Sequence, residues 1–454
     1  MHVAQLRITG VRGFYRERSV DLNFTRPDGS LAGWTVLAGR NGSGKSTMLQ
    51  ALALALSGPR STSFIPSLID WMSAGAATAR VYAKLHMSEE DEDRQGIRRG
   101  MLPLIHENDV WIEFQLPVTA DSSQQEQLFP DEPRIQGRGI DSLIEFGDVS
   151  SVQARPRGWF YAGYGPFRHL GGAANRPRKS TASKLALQVA SLFDETLPLT
   201  DAIDWLIDQH LLRFEGRPGA ERLLDTMLTL LGDGLLPDGF QILRVDSEGL
   251  WVARDGAEFP LREMSDGFRA VTALVVDILR QMAMAYGGLT LVDQDGTPTL
   301  PYPGVILIDE IDAHLHVNWQ QKIGTWLKTH FPGVQFIVTT HSPYICQSAD
   351  PGGLILLPGP GDNRPPYVVD NEIYERVIYG SADDAVLTEL FGVKFPYSDE
   401  ARRLRRALAD LEEKVYGGTA SPAEKEEYRR ISDLLTSSAT ARVNEIAAQF
   451  RHDR

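Results

Sequence analysis

The sequence predicts an α/β fold: a mixed, mostly parallel core sheet with an antiparallel β subdomain, a helical insertion and a helical C-terminal tail. Three observations carry this. A glycine-rich loop, Gly39-Arg40-Asn41-Gly42-Ser43-Gly44-Lys45-Ser46, lies between a short apolar run at 34–38 and an apolar helical stretch at 45–56. Far downstream, Val305-Ile306-Leu307-Ile308 is a continuous apolar run that ends in Asp309 and Glu310, as a strand buried on both faces of a parallel sheet would read. A third strand-like stretch, 334–339, leads into Thr340 and His341.

The chain has 454 residues, 42% of them hydrophobic and 23% charged, enough for a sizeable core and more than one domain. A net charge of -14 argues against a general polyanion binder, although a local basic strip can still neutralise phosphates. The one cysteine, Cys346, excludes an internal disulfide and a cysteine-based metal cluster, and fits a cytoplasmic location. The N-terminus alternates apolar and polar residues and carries arginines, so it reads as a strand and not as a signal peptide. No apolar run approaches the roughly 20 residues of a membrane span.

Four segments are expected. Residues 1–170 hold alternating strands at 3–8, 20–24, 80–85 and 110–116, the glycine-rich loop, a solvated acidic tract at 89–93 and a polar surface loop at 119–141. Residues 171–261 read as an insertion of helices within 184–232 followed by a β-meander over 240–261. Residues 262–395 hold a long apolar helix at 268–286, the strand 305–308, a helix at 319–331 and strands at 334–339 and 354–357. Residues 396–454 form a charged tail with amphipathic helices at 402–415 and 421–435. The stretch 47–263 lacks sustained heptads, which excludes a long coiled-coil arm.

The glycine-rich loop matches the phosphate-binding pattern in full and has its required context, after a strand and opening a helix. Gly39, Gly42 and Gly44 let main-chain N–H groups wrap phosphates without Cβ clashes, with Asn41 and Ser43 between them. The helix N-terminus adds positive potential. Lys45 is expected on the β- and γ-phosphates of ATP and Ser46 on Mg²⁺, with Thr47 beside it. Asp309 completes the metal site, and Glu310 orients and deprotonates the attacking water. His341, at the end of the next strand, would hydrogen-bond the γ-phosphate. Met264-Ser265-Asp266-Gly267-Phe268-Arg269 opens the long apolar helix with a small-polar-glycine turn. Alone it reads as an N-cap.

Together these four motifs resemble the ABC ATPase set: Walker A, signature, Walker B with D-loop, and switch histidine. Asp309-Glu310-Ile311-Asp312-Ala313-His314-Leu315-His316 is similar to the Walker B and D-loop of the RecF/SMC/OLD branch. The layout, with Tyr164-Gly165-Pro166-Phe167-Arg168 and the stretch 381–393, resembles single-head AAA-family ATPases of bacterial phage-defence systems, the Septu ATPase subunit among them. The resemblance implies an ABC-ATPase head and an ATP-dependent dimer or higher assembly, in which Ser265 and Gly267 of one copy cap the nucleotide of the other. It also assigns Asp312 to the nucleotide site. Two departures stand out. Phe268 occupies a position where Gln or Glu is usual, and the 164–168 stretch, where a Q-loop falls by order, has no glutamine.

Residues 155–184 carry seven basic and no acidic residues, interleaved with Trp159, Phe160, Tyr161, Tyr164 and Phe167. Arginines on phosphates and aromatics on bases would suit DNA, with Arg176, Arg178 and Lys179 as the candidate contacts. The alternative for this segment is a buried strand near 159–161, with Arg168 serving the nucleotide site. The expected function is a DNA-associated ATPase in phage defence or repair. The alternative is a switch gating a separately encoded effector such as a nuclease. A transporter subunit fits least. After His341 no Asp-x-Asp ends a strand, so a nuclease domain of the OLD type is not expected in this chain.

Overall fold

The computed structural model describes residues 1–65, 67–86, 109–116, 133–140, 159–168, 186–195, 197, 199–393 and 397–435. The first half runs β1 (His2–Thr9), β2 (Val20–Asn23), β3 (Gly33–Ala38), α1 (Lys45–Ser57), β4 (Thr78–His86), β5 (Asp109–Gln115), β6 (Arg134–Arg138) and β7 (Tyr161–Tyr164). Strands β2-β1-β4-β5-β6 form an antiparallel sheet in that order. In β4 every second residue is buried, so one face packs on the core and the other meets solvent.

The helices α2 (Thr200–Phe214) and α3 (Ala220–Gly232) follow, then the meander β8 (Gln241–Asp246), β9 (Gly249–Arg254) and β10 (Ala257–Pro260). The long helix α4 (Asp266–Tyr286) leads to the hairpin β11 (Val292–Gln294) and β12 (Thr297–Thr299). Next come β13 (Gly304–Ile308), α5 (Val317–Gln320), α6 (Ile323–His330), β14 (Val334–Thr339), α7 (Pro343–Cys346), β15 (Leu354–Leu356), β16 (Tyr367–Val368) and α8 (Asn371–Tyr379).

The second sheet has the order β16-β15-β3-β14-β13-β7. Every pairing in it is parallel except that of β16. Every residue of β13 and β14 is buried, which is why β13 reads as an unbroken apolar run; in β14 the buried Gln335 is satisfied by the main chain of Val3. Helix α1 packs on both sheets and is apolar nearly all round, with its residues from Ala51 to Ser57 buried. A helix without a polar face belongs inside the core, and this one brings the glycine-rich loop to the edge of the parallel sheet.

The chain divides into two compact units, Met1–Tyr374 and Glu375–Arg454. In the second, α9 (Ala382–Val386) is followed by α10 (Asp399–Tyr416) and α11 (Pro422–Leu434). Ser421 and Glu424 form a reciprocal capping box at the start of α11. Leu408, Ile431 and Leu435 make a small core between α10 and α11.

The mostly parallel core sheet, the antiparallel β subdomain and the helical tail expected from the sequence are observed. Three local expectations are corrected. Residues 134–138, placed in a surface loop, form the edge strand β6. Its sequence Arg-Ile-Gln-Gly-Arg has a single strong strand former, and Gly137 is required because a Cβ there would come within 2.6 Å of the Trp111 carbonyl oxygen. The helix expected at 319–331 is two helices, α5 and α6, broken at Gln321-Lys322. The hairpin β11–β12 adds two short strands to the elements expected between α4 and β13; its turn is Asp295-Gly296, with both residues at positive φ. The acidic tract 89–93 lies outside the described residues.

Candidate functional site

Strand β14 lies between β3 and β13, and all three are parallel. Their C-terminal ends therefore share one edge, where open α/β sheets gather their chemistry. The loop after β3 is the glycine-rich loop. Gly44 caps α1 at φ 101°, and a Cβ there would come within 2.7 Å of the Phe14 ring, so this position demands glycine on two counts. Gly39, Ser43 and Lys45 are buried, Gly44, Ser46 and Thr47 are half-buried, and Asn41 and Gly42 are exposed. The Arg18 guanidinium donates to the carbonyls of Gly359 (2.5 Å), Asp362 (2.6 Å), Pro358 (3.1 Å) and Ser43 (3.4 Å), and so fixes the back of the loop.

Lys45 Nζ donates to the carbonyls of Gly39 at 2.8 Å and Arg40 at 3.2 Å. Burial lowers its pKa, while Asp309, Glu310 and Asp312 act in the opposite sense. Burial, and after it Lys45, lowers the pKa of His341, while the same three acids oppose the shift. The loop lysine, the three carboxylates and the histidine are thus gathered at one sheet edge, although they come from three separate loops.

Hydrogen bonds hold that edge rigid. Thr339 Oγ1 donates to Asp309 Oδ1 at 2.5 Å and accepts from the Glu310 N–H at 2.7 Å. Thr340 Oγ1 donates to Asp312 Oδ1 at 2.5 Å and accepts from the Ser342 N–H at 2.9 Å. Ser342 Oγ in turn donates to Gln320 Oε1 at 2.7 Å. Glu310 and His314 have φ of 45° and 66°, a region that non-glycine residues enter only under constraint. Thr339 and Thr340 stand inside a motif the sequence singles out for His341, but nothing in their spacing marks them as carboxylate partners.

Arg168 lies beneath these acids, 5% exposed. Burial lowers its pKa to about 10, with Asp312, Asp309 and Glu310 opposing the shift. The guanidinium therefore stays charged at neutral pH and belongs to this site. Phe160, Tyr161 and Tyr164 are also buried, because β7 is the edge strand beside β13. Phe160, Tyr161 and Tyr164 are core residues and Trp159 packs half-buried against the core that holds Tyr161, which favours the buried-strand reading over base stacking for that part. Arg176, Arg178 and Lys179 lie outside the described residues.

Ser265 is exposed and N-caps α4 without a side-chain cap bond. A Cβ on Gly267 would come within 2.7 Å of the His314 carbonyl oxygen, so the start of α4 rests directly on the turn that carries His314. Phe268 is wedged between Phe240 and Trp319, with ring centroids 5.1 and 4.9 Å away. The Trp319 and Trp326 indoles donate to the carbonyls of Leu235 (3.0 Å) and Asp233 (2.7 Å). These contacts explain the aromatic at a position where the resemblance implies an amide or acid.

The residues fit a magnesium nucleotide. The loop offers the glycine cradle, and Ser43 Oγ is buried with no hydrogen-bond partner among the described residues. Asp309 is aligned by Thr339. Among the described residues no three His, Cys, Asp or Glu side chains form a metal cage; magnesium typically uses one or two carboxylates plus substrate phosphates. No described helix is long and apolar enough to cross a membrane.

Over residues 34–347 the sequence matches the family described as "AAA domain, putative AbiEii toxin, Type IV TA system". It is similar to Septu protein PtuA of Bacillus mycoides (strain KBAB4), 24% identical over 94% of this chain and 50% of that protein. A second relative is the Escherichia coli protein named "Retron Ec83 probable ATPase", 32% identical over 36% of this chain and 27% of that protein. The chain therefore spans about half or less of the length of these curated relatives. Among solved structures, the SMC head domain from Thermotoga maritima aligns with a TM-score of 0.43 at 16% identity, covering 82% of this chain and 100% of that one.

Proposed function

This chain belongs to the AAA domain family just described, and on that premise we propose that it hydrolyses ATP, with magnesium, between two copies of itself. The observation that carries the reading is the gathering of Lys45, Asp309, Glu310, Asp312 and His341 on the edge that bears the glycine-rich loop.

The main-chain N–H groups of 39–47 cradle the triphosphate, and Lys45 leaves its carbonyl partners for the β- and γ-phosphates. Ser46 and Asp309 would hold a magnesium ion, which would supply neutralisation of the phosphate charge. Glu310 orients a water, takes its proton as the oxygen attacks the γ-phosphorus, and ADP departs with the bridging oxygen. His341 donates from its ring to the γ-phosphate, and Asp312 steadies the loop by accepting from the His341 main-chain N–H at 3.4 Å. Ser265 and Gly267 reach the nucleotide of the other copy. DNA is the second ligand in this reading, with Arg176, Arg178 and Lys179 as its contacts, and the setting is phage defence or repair.

The test is ATP turnover with and without linear duplex DNA, with Glu310→Gln as the floor. Loss of a positioned base lowers turnover by about 10²–10⁴-fold. Wild-type turnover no faster than that variant overturns hydrolysis. Turnover that DNA does not change removes DNA and leaves a switch that gates a separate effector. Glu310→Gln sedimenting only as a monomer in ATP removes the dimer.

A further inference from the structure

One guanidinium gathers three consecutive carbonyls of the catalytic turn. Arg168 Nη1 donates to the carbonyls of Gly165 (3.1 Å) and Asp309 (3.0 Å), and Nη2 to those of Glu310 (2.8 Å) and Ile311 (3.2 Å). Glu310 lies in the middle of that set at φ 45°. A non-glycine residue keeps such a conformation only where its surroundings over-determine it, and the buried fork of Arg168 does so from below while Thr339 holds the Glu310 N–H from above. A lysine at 168 would present one compact ammonium in place of a planar fork and would not reproduce this four-carbonyl pattern.

Tyr164, at the other end of the same turn, faces two ways. Its carbonyl accepts from the Asp309 N–H at 2.8 Å. Its phenol donates to Asp277 Oδ2 at 3.0 Å, on the helix that Ser265 and Gly267 open. Gln281 Nε2 donates to the phenol oxygen at 3.2 Å, and Arg280 pairs with Asp277 Oδ1 at 2.6 Å. Tyr164 and Asp277 are 1% and 3% exposed, so the phenol–carboxylate bond is shielded from competing water. Burial and Asp277 together push the phenol pKa well up, which keeps it a donor.

We propose that the turn from Tyr164 to Arg168 is the positioning element of this ATPase: Arg168 sets the Glu310 turn through its carbonyls, and Tyr164 ties that turn to the signature helix. This rests on the reading of Glu310 as the base. It gives the stretch without a Q-loop glutamine a coupling role built from different groups.

The experiment uses the full chain, with Arg168→Lys, Tyr164→Phe and the Glu310→Gln floor. For each, kcat, ATP affinity by titration calorimetry with magnesium, and the melting temperature are measured. Arg168→Lys is expected to bind ATP as wild type does while kcat falls by about 10²-fold, the size of effect that a misplaced group produces. Tyr164→Phe loses one hydroxyl and keeps its ring, and is expected to lose kcat, by a smaller factor, with affinity unchanged. Unchanged kcat in a folded Arg168→Lys overturns the proposal, as does a loss of kcat matched by losses of affinity and melting temperature. If Arg168→Lys does not fold, Tyr164→Phe decides, and unchanged kcat there overturns the proposal. A wild type no faster than Glu310→Gln fails differently: it overturns the hydrolytic reading, and this proposal with it.

Discussion

The hydroxyl of Thr339 donates to Asp309 Oδ1 at 2.5 Å while accepting the N–H of Glu310 at 2.7 Å, so one side chain sets both the carboxylate of the first acid and the backbone of the second. Thr339→Val keeps the shape and removes both bonds. A buried N–H left unpaired costs about 1–3 kcal/mol, so the melting temperature should fall. The stabilisation that ATP with magnesium adds to the melt should shrink as well, because Asp309 loses its alignment. Thr339→Ser should restore both. A valine variant with an unchanged nucleotide-dependent melt would show that the threonine does not align the metal acid.

Gly267 has no room for a methyl group, because a Cβ would lie 2.7 Å from the His314 carbonyl oxygen. Gly267→Ala must push the start of α4 and the D-loop apart. Overpacking of this kind costs about 1–3 kcal/mol. The sharper expectation concerns assembly. If Gly267 works across two copies, Gly267→Ala in the Glu310→Gln background should bind ATP and fail to accumulate dimer in sedimentation. An ATP-dependent dimer at wild-type level would remove Gly267 from the interface.

What was legible in the sequence was what a local pattern encodes. The unbroken apolar run of β13, the alternation of β4 and the glycine-loop-helix order each report their own burial, and the sheet followed from them. The acids and the histidine are legible because each follows the end of a strand, and the loop lysine because it opens the helix after the glycine-rich loop. Thr339, Thr340 and the bond from Tyr164 to Asp277 are not, because a hydroxyl becomes a carboxylate partner only when elements far apart in sequence lie side by side. Arg168 shows the same limit from the other side. In a run of basic and aromatic residues it reads equally well as a phosphate contact, and only its position behind β13 shows that it is buried.

Phe268 is a departure that packing accounts for. Its ring lies 5.1 Å from that of Phe240 and 4.9 Å from that of Trp319, and each such pair contributes about 0.5–1.5 kcal/mol beyond burial. Phe268→Gln, which restores the amide implied by the ABC resemblance, should therefore lower the melting temperature and leave turnover per folded molecule no higher than wild type. Phe268→Leu should recover part of the stability. A glutamine variant as stable as wild type would show that the aromatic cluster does not hold the signature turn.

If His341 works at the γ-phosphate, it should set the acid side of the pH dependence. Its folded-state pKa is lowered, first by burial and then by Lys45, with Asp312, Glu310 and Asp309 opposing. A histidine whose pKa is depressed on folding contributes stability above its unfolded value of about 6.5 and loses it as pH falls through the folded value. The ring is therefore neutral at pH 7 in the free protein, able to donate from one nitrogen while the other stays unprotonated. Since kcat/KM reports the free enzyme, its acid limb should lie below the ordinary histidine value. Asp312→Asn removes one of the groups that favour the charged ring, so it should carry that limb further down in pH. It keeps a side-chain oxygen to accept from Thr340 and the His341 N–H, so the loop should hold its shape. His341→Gln should flatten the limb and lower kcat. An acid limb in wild type that persists unchanged in His341→Gln would assign the titration to another group and take His341 out of the catalytic set.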